Sequence, residues 1–215
     1  MRFAKWKLVL SVIAVSAVTM LGVGPAAASG CYAPSVTFHL DYDAGNFFLN
    51  QAPPGAATAK YLDSPVLSRA GGNPYTVIGE WDDGYVGSLA GCVLGSLNPL
   101  HVWLGLRNSD DQGTNFDLKA EVHFQGSAPA SPIVLVATAE RLCIKGLTRN
   151  PALAQEIISS FSPPPPNLRD GEYSLTLYAR IGSSACGGHA SATGLRVYYD
   201  SAARDSRFGV NFTGG

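Results

Sequence analysis

The densest group of chemistry-bearing side chains lies between Arg107 and Asp117, where Asn108, Asp110, Gln112 and Asp117 gather amide and carboxylate oxygens in one short segment. Calcium takes about six to eight hard oxygen ligands, and these four residues would supply several of them. The glutamate that closes a helical calcium loop is missing at the required spacing, so any calcium site here would be a loop site between strands. The same composition also makes an ordinary hairpin turn, in which Asn and Asp side chains bond nearby backbone and Gly113 adopts a positive φ. Calcium is the only cofactor that the residues suggest.

Aromatic residues are the second signal. Tyr75, Trp81, Tyr85, Trp103, Tyr198 and Tyr199 would make a sugar-stacking platform if several shared one exposed face, and would otherwise be core. Tyr198 and Tyr199 are adjacent, so on a strand one of them must point outward. Acids offer a third chemistry: Glu80, Glu121, Glu140 and Glu172 are candidates for the paired carboxylates of a glycan-active hydrolase, which must face each other across a cleft. Other catalytic patterns are missing. No Gly-x-Ser-x-Gly turn, His-Glu-x-x-His or Cys-x-x-Cys occurs, and His101, His123 and His189 are scattered. His39 and Asp41 sit two apart, where they form either a ligand pair or part of a polar strand face.

The elements that must position these residues read as strands. Alternating or β-branched runs recur at 36–40, 76–81, 100–106, 116–124, 133–139, 173–181, 195–199 and 208–212, separated by turn clusters such as Pro53-Pro54-Gly55, Asp82-Asp83-Gly84 and Gly187-Gly188. In Phe116 to Phe124 apolar residues take every even position while Asp117, Lys119, Glu121 and His123 take the odd ones, which predicts one core face and one face toward water. The pattern predicts an all-β protein, an antiparallel sandwich of immunoglobulin-like or jelly-roll-like type. One helical insertion is expected at 151–161, where Asn150 can cap, Pro151 suits the first turn, and Leu153, Ile157 and Phe161 share a face before the prolines at 163–166.

Composition narrows the setting. Charged residues make up 14% of the 215, below the roughly 25% usual for soluble domains, and no basic run exists to engage nucleic acid. Arg2, Lys5 and Lys7, an apolar stretch from Leu8 to Val23 and the small residues at 26–28 read as a secretory signal peptide over 1–28, leaving 29–215 as one β-sandwich domain. The apolar stretch is too short for a transmembrane helix. Removing three cations leaves 12 Lys+Arg against 16 acids, moving the net charge from -1 to -4. Ala28-Ser29-Gly30-Cys31 also reads as a degenerate lipobox, which would make the protein a lipoprotein tethered through Cys31. Four cysteines, Cys31, Cys92, Cys143 and Cys186, favour disulfides in an oxidising compartment, with three pairings open.

Three segments carry a resemblance: Gly71 to Tyr75 with Ile78 to Trp81, the run Trp103 to Val122 (WLGLRNSDDQGTNFDLKAEV), and Cys186 to His189 with Asp200 and Ser206 to Gly209. Together they resemble a module of secreted bacterial proteins, an uncharacterised β-sandwich often appended to larger extracellular chains, with no established catalytic residues. The resemblance spans roughly residues 59 to 213. It implies a Cys143–Cys186 disulfide, leaving Cys31 and Cys92 as the residual pair. The expected protein is thus a secreted, non-catalytic sandwich that binds glycans or a cell surface, with the hydrolase and the Cys31-anchored lipoprotein as alternatives.

Overall fold

The computed structural model describes residues 35–43, 45–55, 58–82, 92–126, 128, 130–162, 168 and 171–214. The signal-peptide reading of 1–28, the lipidation reading of Cys31, and Tyr85 of the aromatic set lie outside these residues. Strands dominate the chain: β1 (Ser35–Asp43), β2 (Asn46–Asn50), β3 (Lys60–Asp63), β4 (Leu67–Ser68), β5 (Thr76–Asp82), β6 (Cys92–Leu97), β7 (Leu100–Leu106), β8 (Phe116–Gly126), β9 (Ile133–Ile144), β10 (Gln155–Ser159), β11 (Gly171–Ile181), β12 (Ser191–Ala192), β13 (Leu195–Tyr199) and β14 (Arg207–Gly214). Every run expected as a strand lies within one of them.

Twelve strands form one sheet in the order β3-β13-β7-β14-β1-β2-β5-β11-β8-β9, with β10 on the other side of β7 and β6 beside β14. Pairing is antiparallel except at Phe48 and Asp82, where β2 meets β5 in parallel. The sheet folds over on itself as an all-β sandwich. Trp81 of β5 meets Tyr199 of β13 with ring centroids 6.3 Å apart, and Phe38 of β1 meets Tyr173 of β11 at the same separation. Between the layers lie Leu104, Val197 and Phe208 from one side and Val122, Leu175 and Leu177 from the other, all essentially inaccessible to water. Alternation along each strand produces this directly, since every second side chain faces the same layer.

The helical insertion is replaced by something else. Pro151–Leu153 is a single 3₁₀ turn, capped as expected by Asn150 Oδ1 on the Ala152 N–H at 3.0 Å, and the chain then continues as β10. Ile157 and Ile158 are β-branched and favour extended backbone, and β7 offers a ladder from Leu104 to Leu100 that β10 fills antiparallel. Ile157 and Phe161 pack on the core, Ile158 is half exposed, and Leu153 stays in the turn and is exposed, so the spacing that suggested one helical face belongs to a turn followed by a strand.

The Cys143–Cys186 disulfide is present, with Cα atoms 5.3 Å apart. Cys143 takes a left-handed φ of 54° near the end of β9, and its N–H donates to Asp117 Oδ1 at 2.9 Å. Cys92 is also disulfide-bonded; Cys31, its residual partner in the sequence reading, lies outside the described residues. Among the described residues, no helix is long and apolar enough to cross a membrane.

Candidate functional site

Inward residues of β13 are Leu195, Val197 and Tyr199, so Arg196 and Tyr198 face outward. On β7 the inward residues Val102 and Leu104 leave His101, Trp103 and Gly105 outward, and on β3 inward Leu62 leaves Tyr61 and Asp63 outward. The register places Tyr198 opposite both Tyr61 and Trp103, and Trp103 opposite Glu156 of β10. Directly opposed residues of an antiparallel ladder share a face. Tyr61, Tyr198, Trp103 and Glu156 therefore form one row across four adjacent strands.

Members of the row differ in accessibility. Tyr61 is 52% exposed, Trp103 is half-buried and outside the core, and Tyr198 is 2% exposed although it points outward. Tyr61 meets the Tyr198 ring edge-on with centroids 6.3 Å apart, and the Arg204 guanidinium lies 5.9 Å from the centre of the Tyr198 ring. Gly105 lets that ring settle on β7: a Cβ there would stand 3.0 Å from Tyr198 Cε2 and 3.1 Å from the Thr148 carbonyl oxygen. Burial pushes the Tyr198 hydroxyl up from its ordinary value, against the opposing effect of Arg196 and Arg204.

Charged groups border the row. Arg196 donates to both Asp63 oxygens at 2.7 and 2.9 Å and stacks over Tyr61 at 3.7 Å, a cation–π contact that holds the exposed ring in place. At the other end His101 Nδ1 lies 2.8 Å from Glu156 Oε1. Aromatic rings and planar hydrogen-bonding groups thus alternate along this outward face. A pocket of about 280 Å³ opens at the Tyr61 end, lined by Thr58, Ala59, Tyr61, Pro151, Tyr198 and Arg204.

The outward face of β8 and β11 is also polar, but its charges are satisfied internally. Lys119 Nζ donates to Glu121 at 2.7 Å and lies 4.3 Å over the Tyr178 ring; Arg180 lies 4.3 Å over Tyr75 and bonds Asp117 at 2.9 Å. Tyr75 donates to Glu140. Burial pushes the Glu121 carboxyl up, but bonds from Lys119 and Tyr178 outweigh it and leave the group below its usual range. Asp117 is buried at 1% exposure, so the odd positions of β8 are covered by this ladder and not simply turned to water as the alternation predicted. Toward one end of this face Glu80, Asp82 and Glu172 line a pocket of about 240 Å³ with Phe124 and Tyr173.

Several oxygens of the proposed calcium ligands already accept hydrogen bonds from protein donors. Asn108 Oδ1 accepts from the Asp110 N–H, and both Asp117 oxygens are taken, by Arg180 and by the Cys143 N–H. Asp110 and Gln112 are exposed. The acid that organises the loop is Asp111, which the sequence reading passed over. It is buried, and it accepts from the N–H and hydroxyl of Thr193 and from the Gly194 N–H. Among the described residues, the one cluster with metal-ligating geometry is Asp117, Cys143 and Cys186, whose sulfurs form the disulfide. His39 and Asp41 are separately employed, His39 with Asp205 at 2.6 Å and Asp41 with Asn50 at 2.9 Å. Of the aromatic set, Trp81 and Tyr199 are core, Tyr75 joins the cation–π ladder, and Trp103 and Tyr198 are in the row. Tyr61 and Arg204 were not anticipated; their only sequence signals, a lone Tyr and a lone Arg, are too common to single out.

No protein-family model and no curated protein matches the chain. Among solved structures, a CocE/NonD family hydrolase from Staphylococcus aureus superposes with a TM-score of 0.51 at 15% identity over 83% of this chain. The match spans 36% of that hydrolase chain, so the likeness is one of fold. The VP2 subviral particle of infectious bursal disease virus is also similar, at a TM-score of 0.31 and 12% identity over 82% of this chain and 46% of that one.

Proposed function

We propose that this chain is a secreted, non-catalytic β-sandwich module that binds glycans through the Tyr61–Tyr198–Trp103 row. The observation that supports this is the register itself, which lines three aromatic residues across β3, β13 and β7 on an outward face and ends the row in the His101–Glu156 pair. Arg196, Asp63, His101 and Glu156 supply hydrogen-bonding groups on either side of the rings. The test is native electrophoresis through gels containing soluble polysaccharides. At least one polysaccharide should retard the wild type, and Tyr61→Ala and Trp103→Ala should run as in a plain gel. Retardation unchanged in both variants would contradict the proposal.

A second reading draws on the pocket lined by Glu80, Asp82 and Glu172 with Phe124 and Tyr173, which gathers the carboxylates and aromatic rings that a two-carboxylate hydrolase uses. It predicts release of reducing ends from a polysaccharide, abolished by Glu80→Gln or Glu172→Gln. No release from any polysaccharide that the row binds would remove it.

A further inference from the structure

Arg204 is the uncommitted cation at the row. It sits in the turn between β13 and β14, where its own N–H donates to the Ser201 carbonyl at 3.0 Å. Its neighbour Arg196 is neutralised by a two-point bond to Asp63, whereas Arg204 forms no ion pair among the described residues. Arg204 Nε is buried and makes no hydrogen bond, and its guanidinium lies 5.9 Å from the centre of the Tyr198 ring. The guanidinium of half-buried Arg204 thus lines the pocket without a carboxylate partner among the described residues, and a charge left unpaired at a partly desolvated site favours an anionic ligand. The remaining lining is mostly apolar, from Ala59, Pro151 and the two tyrosines, with Thr58 beside them. At about 280 Å³ the pocket lies below the roughly 300–1,000 Å³ of drug-sized sites, room for one ring or one terminal unit.

We infer that this pocket is a subsite for a carboxylate-bearing sugar, a uronic acid unit whose ring packs on Tyr61 and Pro151 while its carboxylate meets Arg204. The inference rests on the glycan-binding reading and adds the charge class of the ligand. A guanidinium is the group that matches a carboxylate with two parallel bonds, and desolvation beside Tyr198 strengthens that pairing.

The experiment is isothermal titration of the full mature chain with polygalacturonate, alginate and hyaluronan, against neutral galactan, xylan and glucomannan, with dextran sulfate and dextran as a charge control. The wild type should bind a uronate polymer about tenfold more tightly than its neutral counterparts, the weight of one charge-assisted hydrogen bond. Arg204→Gln should reduce that ratio to about one while neutral binding is retained, which also shows that the variant is folded; Arg204→Lys should keep part of the preference. Equal binding of uronate and neutral polymers by the wild type, or an unchanged ratio in Arg204→Gln, would overturn the inference and leave the glycan-binding reading standing. Dextran sulfate bound as tightly as the uronates would also overturn it, by reducing Arg204 to a general anion contact. No binding of any polymer, with Trp103→Ala indistinguishable from wild type, would overturn both.

Discussion

Tyr198 stands directly opposite Trp103 on the β13–β7 ladder, yet Tyr198 is buried under Tyr61 and Arg204 while Trp103 keeps an accessible face. One aromatic thus serves as the floor that positions the others. Its ring can lie low only because residue 105 on β7 has no side chain.

Gly105→Ala is therefore expected to lift the Tyr198 ring and the covering Tyr61. The added Cβ meets ring carbon and backbone oxygen at 3.0 to 3.1 Å, an overpacking that costs about 1 to 3 kcal/mol. Denaturant unfolding should show that loss, and polysaccharide affinity should fall with it.

Asp111→Ala should be among the more damaging changes outside the core. It removes the acceptor of the Thr193 and Gly194 donors inside a buried joint, at a cost of about 3 kcal/mol. Asp110→Ala, one residue away and exposed, should leave the unfolding midpoint nearly unchanged.

Chelation with EDTA is expected to leave the melting temperature where it was, because Asn108 and both oxygens of Asp117 are already engaged by protein donors. A fall in melting temperature that calcium restores would show that the loop rearranges into a cation site.

Alkaline pH should destabilise the fold. Burial, reinforced by Tyr42, Asp200 and Asp41, pushes the Tyr199 hydroxyl up to about 12, and Tyr75, Tyr178 and Tyr198 are raised as well. An unfolded tyrosine loses its proton near pH 10. Above that pH the unfolded chain has released protons that the folded chain still holds, so stability is complete below about 10 and declines as pH rises toward 12. Phenolate absorbance should show these four tyrosines ionising late and together with loss of the near-ultraviolet dichroism; four independent titrations near 10 in folded protein would contradict this.

Much of the fold was legible because it is local. The alternation in Phe116 to Phe124 and the apolar runs around Leu104, Leu177 and Val197 mark strands without knowledge of their partners. The helical reading of 151–161 failed because the free edge of β7 decides that segment, and an edge is a tertiary fact. The site was legible only in fragments. The adjacent tyrosines at 198 and 199 announced one outward ring, and Trp103 was a visible candidate. That Tyr61 and Glu156 complete their row depends on the β3 and β10 registers, which bring together residues far apart in the chain. Asp111 among its acidic neighbours had no distinguishing signal until Thr193 was seen to lie against it.

The most direct measurement is tryptophan fluorescence during titration with a polysaccharide that retards the protein in native gels. Trp103 is half-buried on the row and Trp81 is enclosed in the core, so the account predicts a saturable shift in emission. Trp103→Phe should bind with its affinity largely kept and its signal lost, and Trp103→Ala should lose both. A signal that persists in Trp103→Phe, or full affinity in Trp103→Ala, would place the glycan elsewhere and contradict the assignment of the row.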